Sequence, residues 1–167
     1  EEYNGSAWSA GGATIHNRYT AYGAGTQNDA LVFGGYDSPV DTGTSEHYNG
    51  TSWTLGSTMN NSRRELGGAG ATSDSILAFG GNPSLGCSEE YDGTWRETSR
   101  LIYGNQFAAG NGTQHAALSI GGQSPSIASC TEEYNQDLIY YNLNPEFKTI
   151  GGSGSSSGGS GGSGGGY

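Results

Sequence analysis

One motif returns four times along the chain, and its spacing limits what such a sequence can fold into. It reads EEYNGSAW at Glu1 to Trp8, SEHYNGTSW at Ser45 to Trp53, SEEYDGTW at Ser88 to Trp95, and a decayed TEEYNQ at Thr131 to Gln136. Its tyrosines, Tyr3, Tyr48, Tyr91 and Tyr134, stand 45, 43 and 43 residues apart, and tryptophans follow at Trp8, Trp53 and Trp95. A second landmark keeps the same order: ALVFGG ending at Gly34 and Gly35, ILAFGG at Gly80 and Gly81, ALSIGG at Gly121 and Gly122. A third precedes it, as GAGT from Gly23, GAT from Gly70 and NGT from Asn111. Three features in one order at nearly one period define three tandem units and part of a fourth.

Each landmark has a strand-level meaning. Asn-Gly and Asp-Gly accept the positive φ angles of a type I′ turn, so the motif is expected to be a hairpin, with Glu-x-Tyr on one strand and Trp on the next. The run closed by two glycines reads as a buried strand with a tight exit. With one more short strand around Leu66 to Thr72 and its equivalents, every unit supplies four strands. No stretch has helical periodicity.

The order of a Gly-Gly-ended strand, a loop, an acidic-x-Tyr strand, Trp, and then Met59 four residues ahead of Arg63 resembles the kelch repeat over residues 1 to 150. Arg18 and Arg63 or Arg64 recur, whereas Asn105 takes that place in the third unit, and the fourth turn lacks its Gly and Trp. The resemblance implies an all-β fold of tandem four-stranded blades, about three and a half of them, forming an incomplete propeller. Kelch propellers commonly close at six or seven blades. The missing packing surface is therefore expected to come from self-association or from further repeats. The chain opens inside a repeat motif at Glu1, which reads as a processed chain or a piece of something longer.

Composition narrows the functional classes. Only 32% of the 167 residues are hydrophobic, 32 are Gly, and the apolar bulk rests on 11 Tyr and 3 Trp, so rings between closely spaced backbones must form the core. A net charge of −10 with a single lysine, Lys148, argues against nucleic acid and anionic membranes as partners. No apolar run reaches the roughly 20 residues of a membrane span. Residues 151 to 167 are Gly and Ser closed by Tyr167, the composition of a flexible tail, native or engineered; neighbouring chains of an assembly are expected to hold it.

No catalytic constellation emerges. The pairs Glu1-Glu2, Glu89-Glu90 and Glu132-Glu133, with Glu46-His47 in the second motif, lie on strands, where neighbours point to opposite faces and cannot converge on a substrate. One carboxylate of each pair is expected to meet an arginine or a backbone amide of the adjacent unit. His16, His47 and His115 fall at three different repeat positions, so neither a metal nor another cofactor is expected. The copper constellation of the kelch-type oxidases cannot be carried over, and the likeness of Asp92 to Trp95 to a sialidase Asp-box lacks its interposed residue and an arginine triad. Cys87 and Cys130 occupy one repeat position and read as buried free thiols or as an intermolecular disulfide. The Asn-x-Ser/Thr sites at Asn4, Asn49, Asn60 and Asn111 are explained mostly by turn chemistry.

Ligand contacts are expected in the inter-strand loops Tyr36 to Thr44, Asn82 to Gly86 and Gln123 to Ser129, with Tyr36, Asp37, Asn82 and Gln123 as candidates. The sequence thus points to a non-enzymatic structural or adhesive module of an extracellular or virion-surface fibre or filament. Its partners would be further copies or other chains of the same assembly, with cell-surface glycans beside them. A lectin-like propeller and a fragment of a kelch-type enzyme are the alternatives.

Overall fold

A computed structural model describes residues 1–83, 85–124, 126, 129–136 and 147–149, and the tail 151–167 lies outside them. Among the described residues the chain is all-β, with small antiparallel sheets and no α-helix. Strands β1 (Glu2–Tyr3) and β2 (Trp8–Ser9) form a hairpin from the first copy of the motif. Strands β3 (Tyr22–Thr26), β4 (Asp29–Phe33), β7 (Ser45–Tyr48) and β8 (Trp53–Leu55) make the first four-stranded sheet, in that order. The second runs β9 (Gly67–Thr72), β10 (Ser75–Phe79), β11 (Ser88–Tyr91), β12 (Trp95–Thr98). The third runs β13 (Ala109–Thr113), β14 (Ala116–Ile120), β15 (Thr131–Asn135), β16 (Phe147–Thr149).

The sheets stack face to face in chain order, and the period of two along the second strand of each unit explains how. Leu31 and Phe33 leave the first sheet on one side and meet Ile76, Ala78, Tyr91 and Trp95 of the second, with Met59 and Leu66 closing the cluster. Leu77 and Phe79 leave the second sheet on its other side and meet Ala117 and Tyr134 of the third, with Leu101 and Ala108. Ile76 through Phe79 are consequently all fully buried, which is why this run carries no polar residue.

Along one edge of the stack, β3, β9 and β13 approach closely. The Tyr22 hydroxyl donates to the Gly110 carbonyl at 3.1 Å, across from the first unit to the third. The Gly68 carbonyl oxygen lies 1.8 Å from where a Cβ on Gly110 would sit. Gly34 and Gly35, with φ of +64° and +108°, turn the chain out of β4, and both later pairs repeat that geometry.

Two local expectations are corrected. The Tyr-Asn-Gly hairpins are not type I′ turns: Tyr48 pairs with Trp53, leaving four loop residues, and among them only Gly50 has positive φ. The Asn49 Oδ1 accepts the amides of Thr51 and Ser52 at 3.0 and 2.9 Å, so the asparagine caps the loop instead of entering the left-handed region. Asn4 does the same for Ser6 and Ala7. The segment Tyr36 to Thr44 is not wholly loop either, since β5 (Tyr36–Asp37) and β6 (Val40–Asp41) pair there as a short hairpin.

Candidate functional site

The recurring motif places two side chains of opposite facing next to each other, and the structure gives each a fixed task. The residue two before each tyrosine caps the loop that leads into its own sheet. Glu46 accepts the Ile15 and His16 amides at 2.6 and 3.1 Å and pairs with Arg18. Glu89 accepts those of Asn60 and Asn61 at 2.7 and 3.2 Å and pairs with Arg63. Glu132 accepts Ile102 and Tyr103 at 2.7 and 3.1 Å, and there Asn105, in place of an arginine, donates to the Gly121 carbonyl. Asn60 also donates its side-chain amide to Glu89, at 3.0 Å.

The residue one before each tyrosine serves the next unit. The Tyr48 hydroxyl donates to Glu2, Tyr91 shares a 2.6 Å hydrogen bond with His47, and Tyr134 donates to Glu90 at 2.5 Å. These are rungs of one ladder joining successive sheets. Burial, reinforced by the bond to Glu90, pushes the Tyr134 phenol far up; burial likewise raises Tyr91, and the Glu2 bond raises Tyr48.

An alkaline prediction follows. Tyrosines of the unfolded chain ionise near pH 10. A folded pKa above that value means the rung's stabilisation is complete below about pH 10 and is lost as pH rises through the folded value. Phenolate absorbance should therefore climb in two stages, the second coinciding with loss of β-sheet ellipticity. A single stage with ellipticity unchanged would contradict the ladder.

A second surface lies where the glycine pairs end. Tyr36, Asn82 and Gln123, the expected ligand residues, each follow a glycine pair, and the structure brings them to the same end of the stack. Their backbone amides donate to the carbonyls of Tyr19, Arg64 and Gln106 at 2.9, 2.8 and 2.8 Å. Asp37, exposed on β5, is set beside Tyr36. The Arg64 guanidinium lies 4.9 Å from the Tyr36 ring centroid and 2.6 Å from Asp41, and Tyr36 stands edge-on to Tyr19 at 5.2 Å. The Asn82 side chain bridges Glu65 at 3.0 Å and Gln106 at 2.8 Å.

Sequence reasoning missed Tyr19, Arg64 and Gln106 as neighbours of that site. Aligning the units on their glycine pairs finds two of them, since Tyr19 and Gln106 each stand 15 residues before the first glycine; Arg64 stands 16 before it and needs a one-residue gap, which the irregularity in the β9–β10 pairing supplies. The next residues, Thr20, Glu65 and Phe107, are the non-glycine residues with positive φ among the described residues, at +55°, +59° and +60°. They link the units directly: the Glu65 amide donates to Thr20 at 3.0 Å, and the Phe107 amide to Glu65 at 2.7 Å.

Chemically this surface offers exposed rings at Tyr19 and Phe107 beside amides and a neutralised arginine, a set suited to stacking and hydrogen bonding. A third feature is a groove of about 310 Å³ between the β1–β2 hairpin and the first sheet, lined by Glu1, Glu2, Thr26, Gln27, Tyr48 and Trp53 among others. Among the described residues no three His, Cys, Asp or Glu side chains gather as metal ligands. Cys87 is buried and Cys130 half-buried, both as free thiols. No protein-family model matches this chain, and none of the curated proteins matches it in sequence.

Proposed function

We propose that the chain is a non-enzymatic, kelch-type structural module, its sheets acting as blades of an incomplete propeller within an extracellular or virion-surface assembly. One observation carries this reading: the charged and aromatic side chains of the recurring motif join sheet to sheet, and among the described residues no further sheet covers either end of the stack. Trp8 is 67% exposed whereas its equivalent Trp95 is 6% exposed, the difference being a preceding four-stranded sheet. Exposed apolar faces of this kind mark interaction surfaces. The test is electron microscopy of the purified chain and of immunogold-labelled source particles. Ordered assemblies or labelled fibres are expected; only monodisperse single particles, with no label on any fibre or virion, would overturn the reading.

The groove favours a second reading, carbohydrate binding, since it combines Tyr48 and Trp53 with carboxylates and an amide at a volume within the range of small-ligand sites. A glycan array should then give hits that Trp53→Ala abolishes, and an array without hits would discard this alternative.

A further inference from the structure

The ladder of tyrosine rungs has a free member at each end. Every described rung runs from a tyrosine to the residue preceding the tyrosine of the unit before it: Tyr48 to Glu2, Tyr91 to His47, Tyr134 to Glu90. By that rule Tyr3 is a donor whose acceptor lies outside the described fold, and Glu133 is an acceptor whose donor does. Among the described residues neither makes such a bond. Tyr3 is 47% exposed, and its ring lies 5.2 Å from that of Trp8, so the two form an uncovered aromatic pair. At the other end, Leu118 lies directly opposite Glu133 in the β14–β15 pairing, and alternate residues share a face, so Leu118, Ile120 and Glu133 stand together on the outer side of the third sheet. Ile120 is 40% exposed.

The junction of the first and second sheets shows what such a pair of surfaces does when it meets. There Tyr91 bonds His47, and the Trp95 ring packs on Phe33 with centroids 5.2 Å apart. Tyr3 and Trp8 occupy the repeat positions of Tyr91 and Trp95. Glu133 and Ile120 occupy those of His47 and Phe33. Donor and ring lie at one end of the chain, acceptor and apolar seat at the other, which is the arrangement of a heterologous, head-to-tail contact.

We propose that a second copy of this chain docks on the outer face of the third sheet, its Tyr3 hydroxyl donating to Glu133 and its Trp8 ring seated on Ile120. This rests on the module reading above and adds to it the partner and the register. The contact is made by the outer strand pair of the incoming copy, continuing the series of junctions already present between the sheets. A carboxylate acceptor suits the neutral phenol as Glu2 and Glu90 do inside the molecule.

The test uses the full chain carrying Cys87→Ser and Cys130→Ser. One preparation adds Tyr3→Cys, a second adds Glu133→Cys, and a third adds Glu90→Cys. Treating a mixture of the first two with a bis-maleimide that spans about 10 Å, the spacing of facing sheets, should yield a cross-linked heterodimer at a yield that rises with concentration, while the first mixed with the third should give none. Sedimentation equilibrium of the cysteine-free chain should show self-association that Ile120→Asp weakens by at least about tenfold, the scale of one lost apolar contact. Val40→Asp, on an exposed residue of the β5–β6 hairpin, should leave it unchanged.

A cross-link from position 3 to position 90 would mean that the incoming hairpin displaces β15, and would overturn the register while leaving self-association standing. A folded monomer at all concentrations would overturn the second copy as partner. The module reading would then be decided separately by labelling of the source particle, where a different chain can supply the neighbour.

Discussion

Replacing Arg63 with alanine is expected to remove a large part of the stability of the fold. The Arg63 and Glu89 side chains are wholly buried, and Glu89 also receives the Asn60 and Asn61 amides. Removing one partner of a buried pair leaves an uncompensated charge and costs about 3–5 kcal/mol. A domain of this size has a total stability of about 5–15 kcal/mol, so the loss is of the same order as the whole. Restoration by a hydrophobic pair should be incomplete. Arg63→Met with Glu89→Leu removes both charges but takes the carboxylate acceptor from the part-buried Asn60 and Asn61 amides at the head of the loop, and each such hydrogen bond contributes about 1 kcal/mol. The third unit supplies an internal comparison, because Asn105 stands where the arginine would be and donates to a carbonyl instead of to Glu132. Asn105→Ala should cost only about 1 kcal/mol. Urea denaturation of the three variants measures the series; an Arg63→Ala protein within 1 kcal/mol of the parent would show that the pair does not hold the junction.

The second large effect is steric. Gly23, Gly68 and Gly110 occupy the same position on β3, β9 and β13, yet the space beside them differs. A Cβ on Gly110 would lie 1.8 Å from the Gly68 carbonyl oxygen, and on Gly68 2.9 Å from the rings of Tyr22 and Phe33. On Gly23 it would meet only the Leu31 carbonyl at 3.7 Å, an ordinary contact. Gly110→Ala must push two backbones apart and should cost about 3 kcal/mol, the upper part of the range for overpacked cores. Gly68→Ala should cost less, since rings can shift. Gly23→Ala should be neutral or gain up to about 1 kcal/mol by restricting the unfolded chain. Thermal melts of the three alanine variants test the order, and a Gly110→Ala melt no lower than that of Gly23→Ala would refute the close approach of β9 and β13.

Much of the architecture was legible because its signals are local and periodic. The glycine-closed runs and the Glu-x-Tyr segments became strands at the expected places, and the opposite facing of Glu89 and Glu90 followed from strand geometry alone. What the pairs do was only half visible. An arginine or amide partner was foreseen for one carboxylate, but the loop holding Arg63 leads into the same sheet as Glu89, so the cap closes a unit instead of joining two. The tyrosine rungs escaped notice because each links residues 44 to 46 apart, a separation that single-motif reading does not connect. The hairpin turns were misjudged for a chemical reason: an asparagine carbonyl that can cap two amides competes with the left-handed backbone that Asn-Gly also permits. Of the expected ligand residues, Tyr36, Asn82 and Gln123 share one end of the stack, but their company of Tyr19, Arg64 and Gln106 came from the fold.

The row formed by Thr20, Glu65 and Phe107 bears on how such a surface can change. Left-handed backbone at a β-branched, an acidic and an aromatic residue is uncommon, and here amide-to-carbonyl bonds from one unit to the next hold it in place. Those bonds belong to the main chain, so any residue with an amide N–H that tolerates positive φ can make them. The three positions therefore act as a rack with interchangeable fittings. Substitution can rewrite what the end of the stack displays, in size, charge or ring character, while the spacing between displayed groups stays fixed.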